Sequence, residues 1–236
     1  MFPTNTQNPD HYHKVVDCQW ACPAHTPVPE YIRLIAAGRY NDAYMVNWGS
    51  NVFPGILGRV CDRPCEPACR RGRVEEQPVA ICRLKRVAAD NTVDIASAMP
   101  QPPEEKNGKH VALIGGGPAS LTVARDLLLQ GYAVSLFEAK QKLGGMMRGD
   151  IPSFRLPTQV LDEEIEQVLR LGVDLHTGAN ITSLKDFIER DYDAVFVGTG
   201  APRGRNLKIS GRDEASNIHM GIDWLGQVAF EHIESI

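Results

Sequence analysis

The first part of the chain carries apolar residues at helical spacing, interrupted by prolines and glycines. Residues 27–48 predict two helices, because Pro29 is suited to open a first helix and Gly38 to end it. Residues 75–91 predict a third helix from apolar positions close to a helical period, namely Val79, Ile81, Leu84, Val87 and Ala88. We therefore expect residues 1–95 to form an α-helical domain.

The pattern changes after residues 96–109, a segment rich in proline and charge that predicts a linker. Apolar strand-like runs then alternate with helical patterns as far as a last strand, expected to be buried, at residues 192–201. Strands that alternate with helices predict a parallel sheet covered on both faces. Residues 110–236 are accordingly predicted to be a partial α/β domain of the Rossmann type.

The composition of the 236 residues is that of an ordinary globular protein, with 43% hydrophobic residues and a net charge of −4. This balance argues against a nucleic-acid binder that relies on overall charge. The chain has no long apolar run and no signal-peptide pattern at its start, so we expect no membrane insertion and a cytoplasmic location. In that compartment cysteines stay reduced and more often bind metal than form disulfides.

All six cysteines lie in the first 82 residues. Three of them, Cys61, Cys65 and Cys69, are spaced by four residues, but intervening prolines make one continuous helix doubtful. The spacing does not give the two tidy pairs of a zinc knuckle, and scattered thiolates are typical of iron–sulfur clusters. An iron–sulfur site is favoured, while a zinc site and structural thiols stay open. The basic residues around the cysteines either form a solvated surface or tune a cluster.

A glycine turn follows the first strand of the second domain, with Gly115, Gly117 and Ser120 at the three small positions. Such a turn brings backbone close to a pyrophosphate at a helix N-terminus. Glu138 ends the second strand, where an acid binds a ribose with a free 2′-hydroxyl, as in FAD or NAD. The alternative is a glycine-rich turn without a nucleotide. Gly144 and Gly145, together with the turn at 199–201, favour FAD.

These features together resemble the small-subunit family of NADPH-dependent glutamate synthase, which includes the N-terminal part of dihydropyrimidine dehydrogenase and related iron–sulfur flavoproteins. The motifs that carry the resemblance span nearly the whole chain: CPAHTPVPEYIRLIAAGRYNDAY, GRVCDRPCEPAC, GGGPAS, LGGMMRGDIPSFRLP and VFVGTGAP. The family implies two [4Fe–4S] clusters in the helical domain and FAD in the Rossmann domain. It also implies a partner subunit or domain that accepts the electrons.

The resemblance implies that Cys22, Cys61 and Cys65 ligate one cluster. The family has a Gln or Glu as fourth ligand about where Lys85 stands, and Cys82, one helical turn earlier, is expected to replace it. Cys18 and Cys69 match two ligands of the second cluster, but the upstream cysteine pair is missing and His13 occupies one of its positions. Either that cluster has unusual ligands, or it is lost, which is the alternative that we favour.

For FAD, the resemblance implies a pyrophosphate site at the glycine turn and a ribose contact at Glu138. The second glycine pair and Arg155 are expected near the cofactor, although Arg155 also suits an ordinary surface position. The implied pyrophosphate residues are Gly115, Gly117, Pro118, Ala119 and Ser120, with Gly144 and Gly145 in the second pair.

The expected function is electron transfer between FAD, fed by NAD(P)H bound outside this chain, and a cluster that passes electrons to a partner subunit. The family's NADPH-binding unit has no counterpart in these 236 residues, so we expect an incomplete oxidoreductase component. One alternative is a docking or assembly module without chemistry. Another is a zinc-bearing helical domain joined to an NAD-binding unit.

Overall fold

The computed structural model of the chain describes residues 16–212, 214–215 and 217–230. It divides into two compact units, with the boundary between Met99 and Pro100. The first unit is helical, and the second contains a parallel sheet. Among the described residues, no helix has both the length and the apolar character that a bilayer crossing requires.

Five helices and two short 3₁₀ turns make up the described part of the first unit. In chain order they are α1 (Asp17–Ala21), α2 (Val28–Ala36), α3 (Tyr40–Asn51), α4 (Pro54–Val60), a turn at Arg70–Arg73, α5 (Ile81–Asp90) and a turn at Ile95–Ala98. Helices α2, α3 and α5 are the three that the apolar periodicity predicts. Helix α4 was not predicted; it begins at Pro54, whose fixed φ suits a first helical position.

The core of the helical unit includes cysteine side chains as well as ordinary apolar ones. Tyr31, Leu34 and Ile81 are buried together, and Cys18 and Cys65 belong to the same cluster. Residues 61–69 form turns rather than a helix, as Pro64 and Pro67 suggest. The thiols therefore lie at the edge of a packed interior rather than along one helix surface.

The second unit is built on a four-stranded parallel sheet with the strand order β3-β2-β1-β4. Its strands are β1 (His110–Ile114), β2 (Ala133–Glu138), β3 (Asp174–Thr177) and β4 (Ala194–Val197). Its helices are α6 (Pro118–Leu129), α7 (Met146–Gly149), α8 (Thr158–Leu169), α9 (Leu184–Ile188) and α10 (Gly221–Ala229). Because the strands are parallel, all four carboxyl ends meet at one edge, where the glycine turn follows β1.

The central strands β1 and β2 are covered on both faces. Phe187 of α9 packs with Ile114 and Phe137 on one face, while Leu113 and Leu136, which alternate with them, are also fully buried. Helix α6 packs against both strands. In the segment predicted as a linker, the Asn107 N–H donates to the Gly131 carbonyl at 3.0 Å, so that part of 96–109 packs on the second unit.

The prediction that residues 192–201 form a buried strand is wrong in one respect. The strand exists as β4, but Ala194 and Val197 are exposed, and Val195 and Phe196 are only half-buried. The reason is its position, since β4 pairs with β1 on one side and lies at the edge of the described sheet. An apolar run alone does not distinguish a central strand from an edge strand.

Candidate functional site

Four cysteines come from separate segments of the helical unit. Cys22 caps the C-terminus of α1, and Cys61 caps the C-terminus of α4. Cys65 follows in the next turn, and Cys82 lies in the first turn of α5. Helices α4 and α5 pack very closely at Gly58. A Cβ added to Gly58 would lie only 2.8 Å from the backbone of Arg86. This close packing brings the end of α4 to the start of α5.

The thiols of Cys61 and Cys82 are direct hydrogen-bond partners. This bond lowers the pKa of Cys61 to about 5, and the backbone N–H of Arg63 adds a donor at 3.4 Å. The same bond, together with burial, raises the pKa of Cys82. The Cys82 sulfur also lies 3.3 Å from the Leu57 carbonyl oxygen. One thiol of the pair is therefore favoured as a thiolate and the other as a donor.

Cys65 and Cys22 complete the group. The pKa of Cys65 is raised to about 11, mainly by burial; Lys85 opposes this shift, and the charges of nearby Cys22 and Cys61 contribute to it. Cys65 and Cys82 are buried, whereas Cys22 and Cys61 are half-buried. Cys65 thus lies within electrostatic reach of Cys22 and Cys61, and Cys61 contacts Cys82. We call Cys22, Cys61, Cys65 and Cys82 the thiol group.

Tyr31 forms a wall beside the thiol group that sequence reasoning missed. It is fully buried, and its hydroxyl donates to the Ile81 carbonyl at 3.0 Å. Burial raises the pKa of Tyr31, and the adjacent thiols Cys65, Cys82, Cys18 and Cys22 raise it further. A tyrosine in an apolar helical segment carries no sequence signal that distinguishes it from any other core aromatic residue.

A second set of thiols contains only Cys18 and Cys69 in the described residues. Burial raises the pKa of Cys18, and the neighbouring Cys69 adds to the effect. Both side chains line a cavity of about 400 Å³ whose other walls are mostly apolar, formed by Val28, Pro29, Ile32, Arg33, Val79 and Ile81. His13, the proposed third ligand of a second cluster, lies outside the described residues.

The donors of the thiol group are of the kind that an iron–sulfur cluster takes. Within the part of the chain that the structure describes, no three His, Cys, Asp or Glu side chains converge closely enough to ligate one ion. A [4Fe–4S] cubane takes four thiolates, each on a different iron. Four thiols partly shielded from water therefore suit a cubane by their number and type.

The glycine turn lies at the carboxyl edge of the sheet. Gly115 has a φ of +97°, and a Cβ on it would lie 2.6 Å from the Gly198 carbonyl oxygen, so only glycine fits. Gly117 precedes α6, and Pro118 occupies the first position of that helix. Pro118 and Ala119 are exposed. The turn therefore leaves the start of α6 open, as dinucleotide binding requires.

The second glycine pair lies directly against the first. The Gly144 N–H donates to the Gly116 carbonyl at 2.9 Å, and a Cβ on Gly145 would lie 3.0 Å from the Cα of Gly117. Gly144 has a φ of +122° and Gly145 a φ of +51°. Side chains at these positions would fill the space beside the turn, so the two glycine segments form one backbone-lined cradle at residues 115–117 and 144–145.

Glu138 is held at the cradle by two backbone donors. The Gly116 N–H donates to its Oε2 at 2.6 Å, and the Lys140 N–H donates to its Oε1 at 2.8 Å. Ser120, at the third small position, is fully buried, and its hydroxyl has no hydrogen-bond partner. A Cβ on Gly198 would lie 2.3 Å from that hydroxyl, so Ser120 serves close packing of α6 against the end of β4.

Arg155 is placed apart from these contacts. It is exposed, and its backbone N–H donates to the Pro152 carbonyl at 2.9 Å. Arg148, which sequence reasoning missed, supports the cradle instead. Its side chain is buried, donates through Nε to the Leu143 carbonyl at 2.6 Å and pairs with Asp162. The feature of the sequence that could have pointed to Arg148 is its position three residues after Gly145.

Two family models match the chain. Residues 12–96 match the family described as dihydropyrimidine dehydrogenase domain II, 4Fe-4S cluster. Residues 113–190 match the NAD(P)-binding Rossmann-like domain family. The predicted order, an iron–sulfur domain followed by a Rossmann-type domain with a parallel sheet, is confirmed.

Several curated proteins are similar over most of this chain. The β subunit of the NADP(+)-dependent formate dehydrogenase from Moorella thermoacetica is 39% identical over 220 residues, which cover 84% of this chain and 31% of that protein. The glutamate synthase [NADPH] small chain of Bacillus subtilis is 32% identical, with coverages of 91% and 43%. The NADPH-Fe(3+) oxidoreductase β subunit of Geobacter sulfurreducens is 34% identical, with coverages of 94% and 34%.

The chain therefore spans less than half the length of these three relatives. Each relative is named as a subunit or small chain of an oxidoreductase. The similarity runs through both domains, in the order that the sequence motifs indicate. The curated homologues of this chain, at 32–39% identity, are glutamate synthase small chains and related oxidoreductase β subunits.

Proposed function

We propose that this chain is an electron-transfer component of an oxidoreductase, with a [4Fe–4S] cluster at the thiol group and FAD at the cradle. The observation that carries the proposal is the convergence of four thiols from separate segments beside Tyr31. Thiolates in a partly desolvated setting are the ligands that such a cluster takes. The match of residues 12–96 to a 4Fe-4S family supports the same assignment.

When bound, FAD would exchange electrons in pairs and the cluster would exchange them singly. The chain's own residues would bind and orient these groups. The open N-terminus of α6 suits a pyrophosphate, because its free N–H groups and partial positive charge favour an anion. Glu138, already fixed by backbone donors, suits a ribose with a free 2′-hydroxyl and disfavours a 2′-phosphate.

We further propose that only one cluster is present. Two thiols, Cys18 and Cys69, line the cavity where a second cluster would need four ligands. NAD(P)H would then be bound outside this chain, and the single electrons would pass to a partner subunit. The names of the relatives, which are subunits of larger oxidoreductases, support a partner of this kind.

The test is the cofactor content of the full chain, purified anaerobically and reconstituted with iron, sulfide and FAD. We expect about four irons per chain and about one flavin. Cys82→Ala should lose most of the iron, because it removes one of four cluster ligands. Cys69→Ala is the matched control, a thiol removed from the same unit but outside the thiol group, and it should keep the iron.

Each other outcome contradicts a defined part of the proposal. A reconstituted chain without iron and flavin would contradict electron transfer and would support a docking or assembly module. About eight irons per chain would contradict the absence of a second cluster. Zinc in place of iron would support the zinc-bearing alternative. Iron retained fully in Cys82→Ala would contradict the role of Cys82.

A further inference from the structure

The basic residues around the cysteines fall into two classes. Four of the arginines pair with carboxylates at the surface: Arg86 with Asp90, Arg70 and Arg73 with Asp17, and Arg71 with Glu75. Their charge is largely neutralised and screened by water. The side chain of Arg59 is only 8% exposed, but Asp90 neutralises its charge as well. The sequence left open whether this positive charge tunes a cluster, and for these arginines the pairing indicates an ordinary charged surface.

Lys85 differs from the surface arginines in burial, and from Arg59 in its place beside the thiols. It lies on α5 one helical turn after Cys82, and only 6% of its surface is exposed. A charged residue is rarely buried so deeply unless opposite charge compensates it. The groups that can supply opposite charge here are the thiols, since Lys85 acts electrostatically on Cys61, Cys65 and Cys82.

Glu66 is the carboxylate that belongs to the same region. It accepts the backbone N–H of Cys82 at 3.0 Å and lies 3.9 Å from the guanidinium of Arg63. Glu66 adds to the negative charge near Cys65. Lys85 is therefore the buried positive charge beside the thiols and Glu66, whereas Arg63, the other cation that acts on Cys82, has a side chain that is 41% exposed.

We propose that Lys85 compensates the negative charge of the cluster held by the thiol group and thereby raises its reduction potential. This inference rests on the proposed function, because it needs a cluster at Cys22, Cys61, Cys65 and Cys82. A [4Fe–4S] core with four thiolates is a net anion, and one-electron reduction adds a further negative charge. A fixed positive charge in a poorly hydrated region stabilises the reduced form more than the oxidised form.

The experiment replaces Lys85 in the full chain and measures the cluster directly. Lys85→Met removes the charge and keeps much of the side-chain volume, while Lys85→Arg keeps the charge. The midpoint potential is followed by electron paramagnetic resonance during titration with dithionite, and iron content is determined in parallel. We expect Lys85→Met to reduce the equilibrium constant for cluster reduction at least tenfold, which is about 59 mV for a one-electron couple. Lys85→Arg should stay within about threefold of the wild-type constant.

Arg83→Gln is the matched control, because Arg83 lies on the same helix next to Cys82 but is exposed. It removes the same charge and should change the equilibrium constant less than about threefold. An equal shift in Arg83→Gln and Lys85→Met would overturn the proposal, since burial would then have no effect. An unchanged potential in Lys85→Met would overturn it as well.

Loss of the cluster in a variant is also informative. If Lys85→Met loses iron while Lys85→Arg keeps it, the charge is needed for assembly, and the proposal is supported. If both variants lose iron, Lys85 acts through its exact shape or as a ligand, and the proposal is wrong. A wild-type chain that takes up no iron would instead contradict the proposed function, which separates the two failures.

Discussion

Single positions decide how closely the two helices of the thiol group approach. Gly58 has no side chain to hold α4 away from the backbone of Arg86, and this contact lets Cys82 reach both Leu57 and Cys61. Gly115 has the same importance at the cradle, where the backbone of Gly198 occupies the space of a side chain. At both sites the functional groups come close because a glycine, having no side chain, leaves room for the neighbouring backbone.

Gly58→Ala should destabilise the helical unit by about 1–3 kcal/mol, because its methyl group must displace backbone rather than a flexible side chain. The iron content should fall with it, since α4 and α5 separate where Cys61 and Cys82 meet. Urea denaturation followed by circular dichroism, together with iron determination, measures both effects.

Gly49→Ala provides the control for that substitution. Gly49 lies in α3, and a Cβ on it would meet nothing within 4 Å. Its replacement should stabilise the chain by about 0.5–1 kcal/mol through helix propensity. Equal destabilisation by the two substitutions would contradict the importance of the Gly58 contact.

At the scale of elements, a row of hydrogen-bonded polar side chains crosses the sheet from β1 to β3, away from the glycine cradle. Ser135 on β2 donates to Asp174 on β3 at 2.6 Å, and His110 on β1 lies 2.9 Å from the Ser135 hydroxyl. His176 also contacts Asp174. The hydrogen bond from Ser135, and then the one from His176, lowers the pKa of Asp174.

This lowered pKa predicts a specific dependence of stability on pH. The carboxylate form is favoured in the folded state, so its stabilisation is fully present above the unfolded value of about 4. The stabilisation is lost as pH falls through the lower folded value. Asp174→Asn should therefore reduce the fall in unfolding free energy between about pH 5 and pH 3.

The measurement is the free energy of unfolding by denaturant at a series of pH values, with a readout that reports on unfolding of the second unit. Asp191→Asn is the control, because Asp191 is exposed and its replacement by Asn removes the same charge. It should leave the pH dependence near that of the wild type. An identical slope in wild type and Asp174→Asn would show that Asp174 contributes nothing.

The sequence predicted some of these elements for clear physical reasons and missed others. The alternation of strands and helices in the second unit follows from local apolar patterns that tertiary contacts do not reverse. Helix α4 was missed because its seven residues include two glycines, and its helicity depends on packing against α5. The exposure of β4 was missed because burial is set by strand order, which one strand's composition does not encode.

The candidate site shows the same limit. Cysteines could be selected by residue type, and Gly115 and Gly117 by their place between strand and helix. Lys85 could not be distinguished from the arginines around it, because its burial depends on how α5 packs in three dimensions. Arg148 was overlooked for a similar reason, since nothing local shows that its guanidinium turns back to the Leu143 carbonyl.

At the scale of the whole molecule, the cysteines and the glycine cradle are segregated. All six cysteines precede Pro100, and the cradle lies after it. The two compact units also match two different families. The metal-binding and dinucleotide-binding functions that we propose are therefore carried by separate parts of the chain.

Removal of the cluster should consequently affect one unit alone. A bound cluster stabilises the folded form that holds it, because the ligands are brought together only there. After iron chelation, hydrogen exchange should rise at least tenfold in α4 and α5 and stay within about twofold in β1 and β2. Hydrogen–deuterium exchange with mass spectrometry measures this, and equal changes in both units would contradict it.

The double anchoring of Glu138 has a consequence for how cofactor preference can change. Its two oxygens already accept the backbone N–H groups of Gly116 and Lys140, so the carboxylate braces the loop that it would use for recognition. Replacing Glu138 to admit a ribose 2′-phosphate would also remove the two hydrogen bonds that hold the loop. A change of preference from a free 2′-hydroxyl to a 2′-phosphate at this position therefore needs at least one further substitution that stabilises the loop again.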